Sequence, residues 1–146
     1  MKTIISAALL TLASSVAIAG TDFGTDQEAR DITQQMVDII KDQGLDAGIA
    51  AMHDASGPFL DTKMGVHIFQ ESIIVADNRE PELIAASYAG VTDANGNDMW
   101  EMIQAAAAET TDFVTLWTHY DTNEPYEYHC FTQYAVEGQV TVMTCR

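Results

Sequence analysis

The chain has 146 residues, 47% of them hydrophobic, and its 22 acidic residues against six basic ones give a formal net charge of −16. So acidic a surface repels phosphate backbones and anionic lipid headgroups, which argues against binding to nucleic acid or to a membrane surface. The length suits one domain with a substantial core and is too short for two.

Residues 1–19 have the layout of a secretory signal peptide. Lys2 precedes a mostly apolar run, and the small residues Ala17 and Ala19 predict cleavage before Gly20. A membrane anchor would need about 20 predominantly apolar residues, and this run is shorter and interrupted by Ser and Thr. We therefore expect a periplasmic or secreted domain of residues 20–146, with five basic and 22 acidic residues and a net charge of −17.

Two helices are predicted at the start of this domain. Thr25 and Glu28 form a capping box, and an apolar stripe at spacings of three and four follows them. Lys41 and Gly44 mark the end of this long helix. A second, short helix is expected over residues 46–54, before the "SGP" stop at residues 56–58.

The period then changes to that of strands. Residues 65–70 and 73–77 predict a hairpin around a tight turn at 71–72. A loop leads to a helix over about residues 98–109, with its N-cap at Asn97. Three more strands are expected over residues 113–120, 126–136 and 139–145. The chain thus predicts one α+β domain: a long N-terminal helix, a five-stranded antiparallel sheet, and a helical insert between strands 2 and 3.

The two cysteines of an exported chain indicate a disulfide, and no Cys-x-x-Cys motif suggests a redox pair. If residues 136–139 form a hairpin tip, Cys130 lies directly opposite Cys145. Opposed residues of antiparallel strands have Cα atoms roughly 4.5–5.5 Å apart, which suits a disulfide. We interpret the bridge as structural.

The order of these elements resembles the Cache family of extracellular sensor domains, in its single-module form with a PAS-like sheet. The resemblance covers roughly residues 26–145 and is carried by the segments "GPFLD", "IIVADNREPEL", "VTDANGNDMWEMI" and "DFVTLWTHYDTNEP". The chain departs from many relatives at Asp77-Asn78, where they have His-Pro.

The resemblance implies a pocket between sheet and insert that binds a small extracellular metabolite, often a short carboxylate or an amino acid. Most members are the sensing parts of chemoreceptors or kinases flanked by membrane helices. No second apolar run of spanning length is present here, so we expect a stand-alone domain with a membrane receptor or kinase as a partner. Whether it forms a homodimer through its N-terminal helix stays open.

Alternation divides the rings of the last strands between two faces of the sheet. If Tyr120 lies opposite Tyr126, these side chains fall into two sets, one on each face. The first set is Leu116, Thr118, Tyr120, Tyr126, Tyr128, Cys130 and Tyr134. The second set is Phe113, Trp117, His119, His129 and Phe131. One face should pack under the long helix and the other should face the insert, and alternation does not say which.

Five residues are candidates for ligand binding because their side chains donate hydrogen bonds or form an apolar wall. They are Lys63, His67, Tyr88, Trp117 and His119. Core packing or solvent exposure is the competing interpretation for each of them. If these side chains serve no ligand, the alternative function is an exported acidic domain that binds another protein.

No metal, cofactor or catalytic group is expected. The segment "DANGND" starts like a calcium-binding EF-hand loop at Asp93, but Asp98 and Gln104 replace the Gly and Glu that such a loop needs. The four histidines show no paired zinc spacing. No nucleophile elbow, phosphate loop or dinucleotide fingerprint is present, so we do not expect an enzyme.

Overall fold

A computed structural model describes residues 23–146. The predicted signal peptide, residues 1–19, lies outside the described residues. Within the part described, no helix is both long enough and apolar enough to cross a membrane.

Two helices begin the described chain. Helix α1 spans Asp26–Gln43 and α2 spans Leu45–Met52, joined at Gly44. The predicted capping box is present: Thr25 Oγ1 accepts from Glu28 N at 3.2 Å, and Glu28 Oε2 accepts from Thr25 N at 2.7 Å. These bonds satisfy backbone donors that the first helical turn leaves unpaired, which fixes where α1 begins.

Five antiparallel strands form one sheet in the order β2-β1-β5-β4-β3. Their bounds are β1 Gly65–Gln70, β2 Ile73–Asp77, β3 Asp112–Thr118, β4 Pro125–Val136 and β5 Val140–Cys145. A 3₁₀ turn, Pro81–Leu83, and helix α3, Met99–Glu109, lie between β2 and β3. We call residues 78–111, which include both, the insert. The α+β class and the five-stranded sheet are as predicted.

Helices and insert cover opposite faces of the sheet. Helices α1 and α2 pack on the face we call the helix face, where the buried core is almost wholly aliphatic. Helix α3 packs on the other face, which we call the insert face, against a core rich in aromatic rings. Strand β1 supplies both cores by alternation: Val66 and Ile68 to the helix face, Phe69 to the insert face.

The β4–β5 hairpin has the predicted register over most of its length. Cys130 lies opposite Cys145, and a disulfide joins them, with Cα atoms 4.1 Å apart. The register shifts by one between Tyr134 and Val136, so a bulge precedes the turn. The turn itself closes with a bond from Gln139 N to the carbonyl oxygen of Val136 at 3.0 Å.

The predicted register of β3 against β4 was wrong. Trp117, and not Tyr120, lies opposite Tyr126. The connecting loop, residues 119–124, is wider than a tight turn: His119 N donates to the carbonyl oxygen of Glu124 at 2.8 Å, and Asn123 has φ of 59°.

The corrected register moves side chains between the faces. Phe113 and Trp117 share the insert face with Tyr126, Tyr128 and Cys130. Leu116 and Thr118 alternate with Trp117 and so lie on the opposite side of β3. The predicted separation of Trp117 from Tyr128 is therefore overturned, and their meeting builds the cavity described below.

Candidate functional site

A small cavity lies between the insert face of the sheet and the insert. Side chains from all parts of that face and from the insert converge on it: His67, Glu80, Tyr88, Met99, Thr115, Trp117, Tyr120, Tyr128, Met143 and Cys145. Its free volume is about 20 Å³, which is room for about one water molecule. Four of the ten side chains in its walls are Tyr or Trp, and only a few polar atoms face inward, as in small-molecule sites generally.

A buried ion pair lies at one side of this cavity. His67 Nδ1 is 2.7 Å from Asp77 Oδ2, and the two side chains are 3% and 0% exposed. The second oxygen of Asp77 accepts from the backbone N–H groups of Arg79 at 2.8 Å and Glu80 at 2.7 Å. Every oxygen of this carboxylate is thus hydrogen-bonded, as a charge removed from water requires.

Each partner shifts the pKa of the other. Burial by itself lowers the pKa of His67, but the charge and hydrogen bond of Asp77 outweigh it and hold the pKa above its usual value. Burial by itself raises the pKa of Asp77, but His67 and the backbone donors outweigh it and hold the pKa below its usual value. The imidazole is therefore cationic over a wider pH range than a free histidine, and its Nε2–H is a donor toward the cavity.

Three phenols line the cavity together with this donor. Tyr120 Oη is 3.4 Å from His67 Nε2. Tyr128 Oη accepts from the backbone N–H of Tyr120 at 2.9 Å. Burial raises the pKa of Tyr88, Tyr120 and Tyr128 well above that of free tyrosine, so these groups stay neutral and donate hydrogen bonds at physiological pH.

Glu80 adds one carboxyl group to the cavity. Burial is the main reason that its pKa is raised, and the nearby carboxylate of Asp77 adds to the effect while His67 opposes it. The cavity thus offers cationic and neutral donors and a single additional carboxyl. An anionic group would find donors at His67 and Tyr88, and an ammonium group would find Glu80.

Three solved structures from chemotaxis and chemosensory proteins share this arrangement of helices and strands. A methyl-accepting chemotaxis protein from Vibrio parahaemolyticus RIMD 2210633 matches with a TM-score of 0.61 at 14% identity, over 82% of this chain and 86% of that one. A periplasmic sensor domain of a chemotaxis protein matches with a TM-score of 0.59 at 14% identity, over 82% and 88%. A Cache chemosensory domain that recognises carboxylic acid matches with a TM-score of 0.66 at 12% identity, over 82% and 90%.

This chain has the fold of a Cache sensor domain. The likeness is one of structure, since no protein-family model matches the sequence and no curated protein matches it.

Within the Cache fold, three of the five predicted ligand residues meet at the cavity: His67, Tyr88 and Trp117. Lys63 lies outside it, exposed in the segment before β1 and bordering an open surface groove beside α1. His119 also lies outside it. Its Nδ1 accepts from the backbone N–H groups of Asp121 at 3.1 Å and Thr122 at 3.2 Å, and so orders the β3–β4 loop.

Several residues that line the cavity were not among the sequence candidates, chiefly Glu80, Tyr120 and Tyr128, and neither was Asp77, which pairs with His67 beside it. Tyr120 and Tyr128 were placed on a face apart from Trp117 by the wrong β3–β4 register. Asp77 pairs with His67 only because β1 and β2 shift register at Ile68. A bulge of this kind leaves no clear pattern in the sequence.

The EF-hand-like loop of the insert is organised by its own aspartate. Asp93 Oδ1 accepts from Asn95 N and Asn97 N, both at 2.9 Å. The N-cap of α3 is Asp98, one residue later than predicted, and it accepts from Glu101 N at 3.0 Å. Among residues 23–146, no group of three or more His, Cys, Asp or Glu side chains is arranged to hold a metal ion.

Proposed function

We propose that residues 20–146 form an exported ligand-binding domain of the sensor type, which recognises a short carboxylate or an amino acid. The observation that carries the proposal is the buried His67–Asp77 pair, with Nδ1 of His67 at 2.7 Å from Asp77 and Nε2 directed toward an aromatic cavity. A protonated imidazole fixed in this way is a preorganised donor for a carboxylate. The carboxylic acid recognised by one structural neighbour is in accord with this ligand class.

The chemistry of the cavity divides the two ligand classes. A simple carboxylate would use His67 and a phenol and would leave Glu80 without a cationic partner. An amino acid would also place its ammonium group near Glu80, so that both ligand charges are paired. We therefore expect an amino acid to bind more tightly than the carboxylate that lacks its amino group.

Export supports an extracellular metabolite as the ligand. The signal-peptide pattern of residues 1–19 and the Cys130–Cys145 disulfide agree with an oxidising compartment outside the cytoplasm. We propose that the bound domain signals or delivers its ligand through a partner, a membrane receptor or a kinase. The proposed role is binding, without catalysis.

One observation favours the alternative function, an exported acidic domain that binds another protein. The free volume of about 20 Å³ is smaller than a carboxylate ligand, and its walls include Tyr, Trp and Met side chains, of which Met fills gaps well. If the cavity is only a packing gap, the function would lie at the surface. The whole chain has 22 acidic and six basic residues, and a surface of this charge attracts a basic protein partner.

A thermal-shift screen tests the proposal. The domain of residues 20–146, with its disulfide formed, is screened against short carboxylates, amino acids and amines. A ligand that binds the native state at 100 times its Kd adds about 2.7 kcal/mol, which raises Tm by several degrees for a domain of this size. The shift should be lost in His67→Gln. It should persist in His53→Gln, a matched change at an exposed histidine.

The opposite results separate the two functions. A shift of equal size in His67→Gln would place the ligand away from the cavity. No shift with any compound would favour the protein-interaction domain, and the next experiment would be a search for its partner.

A further inference from the structure

Tyr120 fills the part of the cavity nearest the His67 donor. It lies in the β3–β4 loop, and its hydroxyl oxygen is 3.4 Å from His67 Nε2. The phenol rests on the backbone of Gly65, where a Cβ atom would lie 2.0 Å from that oxygen. Only a glycine at this position leaves room for the phenol to reach His67.

The remaining free space cannot admit a ligand unless a side chain moves. The cavity holds about 20 Å³, about one water. Most residues that line it lie in strands or in α3, and three lie outside them: Glu80, Tyr88 and Tyr120. Tyr88 is only 5% exposed and is fixed by a bond from its backbone N–H to the carbonyl oxygen of Ser72 at 2.8 Å. Tyr120 is half-buried.

A surface ion pair secures Tyr120 from outside. Arg79 lies over the Tyr120 ring, with its guanidinium carbon 5.4 Å from the ring centroid. The same guanidinium donates to Asp121 Oδ1 at 2.6 Å, and the Asp121 side chain is 62% exposed. Exposed ion pairs of this kind contribute at most about 1 kcal/mol, so the pair opens readily.

The ion pair and the ligand donor share one anchor. Asp77 accepts from the backbone N–H of Arg79 at 2.8 Å with one oxygen and binds His67 at 2.7 Å with the other. The backbone N–H of Tyr120 is bonded to Tyr128 Oη at 2.9 Å. With these backbone contacts kept, the site would open by a rotation of the Tyr120 side chain and the release of Arg79 from Asp121.

We infer that Tyr120 is an internal plug, whose hydroxyl occupies the position of the ligand carboxylate at His67 until the ligand displaces it. The inference rests on the proposed function and names how that same site is regulated. The apparent Kd equals the intrinsic Kd divided by the fraction of molecules in which the plug is out. Removing the plug therefore tightens binding without any new contact to the ligand.

Calorimetric titration with acetate, propionate, glycine and alanine tests the plug in the oxidised domain. If the plug is displaced in about a tenth of wild-type molecules, Tyr120→Ala should raise the affinity about tenfold for each of these compounds that binds. In Asp121→Asn, which removes the exposed ion pair and leaves the core intact, we expect a rise of about threefold. Glu124→Gln, an exposed acid in the same loop, controls for the loss of one negative charge and should change little.

The outcomes distinguish this inference from the proposed function. Tighter binding in Tyr120→Ala or Asp121→Asn, with Glu124→Gln unchanged, supports the plug, and Asp121→Asn alone decides if Tyr120→Ala does not fold. Wild-type binding that is weakened or unaltered in both variants overturns the plug and leaves the proposed function standing. Binding in no protein overturns both.

Discussion

The two faces of the sheet differ in chemistry although the same strands build them. The helix face buries aliphatic side chains such as Val66, Ile68 and Val142, each with no exposed surface. The insert face buries rings and polar groups, among them Tyr128 and the His67–Asp77 pair. Both faces contain fully buried side chains, so burial alone does not separate them.

The two faces differ in whether their buried groups need hydrogen-bond partners. An aliphatic layer needs only matching volume, whereas the buried charges of the insert face need hydrogen-bond partners to offset their loss of water. His67 and Asp77 meet that need with each other, and the Nε2 of His67 turns to the cavity. The helix face stabilises the domain, and the insert face supplies the chemistry that a ligand can use.

The largest expected effect concerns the helix face. Ile68→Ala removes a side chain with no exposed surface from the aliphatic core, so we expect the free energy of unfolding to fall by about 3 kcal/mol. Ligand affinity at the other face should not change. Urea unfolding measures the first and calorimetry the second, and Gln70→Ala, exposed at the end of the same strand, should alter neither. A matching loss of affinity in Ile68→Ala would mean that the two faces are not independent.

The next effect concerns the insert face. In Asp77→Asn the Oδ1 atom still accepts from Arg79 and Glu80, but the buried charge opposite His67 is gone. We expect the free energy of unfolding to fall by about 2 kcal/mol. We also expect the pKa of His67 to fall, which a pH titration of the NMR chemical shifts of its ring protons measures. Ligand affinity should fall as well, unlike in Ile68→Ala. Asp38→Asn, at an exposed position of α1, is the control.

The same pair makes stability depend on pH. The pKa of His67 is raised by folding, so its contribution is complete below about pH 6.5 and is lost as pH rises through the folded pKa. The pKa of Asp77 is lowered, so its contribution is complete above about pH 4 and is lost in stronger acid. The stability difference between wild type and Asp77→Asn should thus be larger at about pH 5.5 than at about pH 9. A difference that is equal at both would mean that the pair is not ionised.

Much of the fold was predictable because local chemistry dictates it. The capping box fixed the start of α1, alternation and a two-residue turn fixed β1 and β2, and the cysteine pair fixed the register of β4 against β5. Each of these signals acts between residues that are close in sequence or covalently joined. The order of elements then indicated the PAS-like sheet.

The candidate site was harder to predict because it depends on two registers that local chemistry does not fix. The β3–β4 loop is closed by His119 and Asn123 in a conformation without a Gly signature, so the predicted register groups Trp117 with the wrong side chains of β4. The bulge at Val75 of β2, across from Ile68 and Phe69, brings Asp77 opposite His67. A one-residue change of register transfers a side chain to the other face. The aromatic residues of these strands were therefore identified from the sequence, but the prediction of which of them share a face was wrong.

The smallest expected effect returns to the helix face and separates helix stability from the ligand site. Thr25→Ala removes the hydroxyl that accepts from Glu28 N at 3.2 Å at the start of α1, and loss of such an N-cap costs about 1 kcal/mol. Helix α1 packs on the helix face and contributes no side chain to the cavity wall. Chemical unfolding should therefore show this loss in the free energy of unfolding, while ligand affinity stays that of the wild type. Adding Asp121→Asn to Thr25→Ala should tighten binding as much as it does in the wild type. Gln35→Ala, an exposed position of the same helix, should cost no more than a few tenths of a kcal/mol. If Thr25→Ala weakened ligand binding, the first turn of α1 would be coupled to the insert face through the sheet, and the division of labour between the two faces would fail at that point.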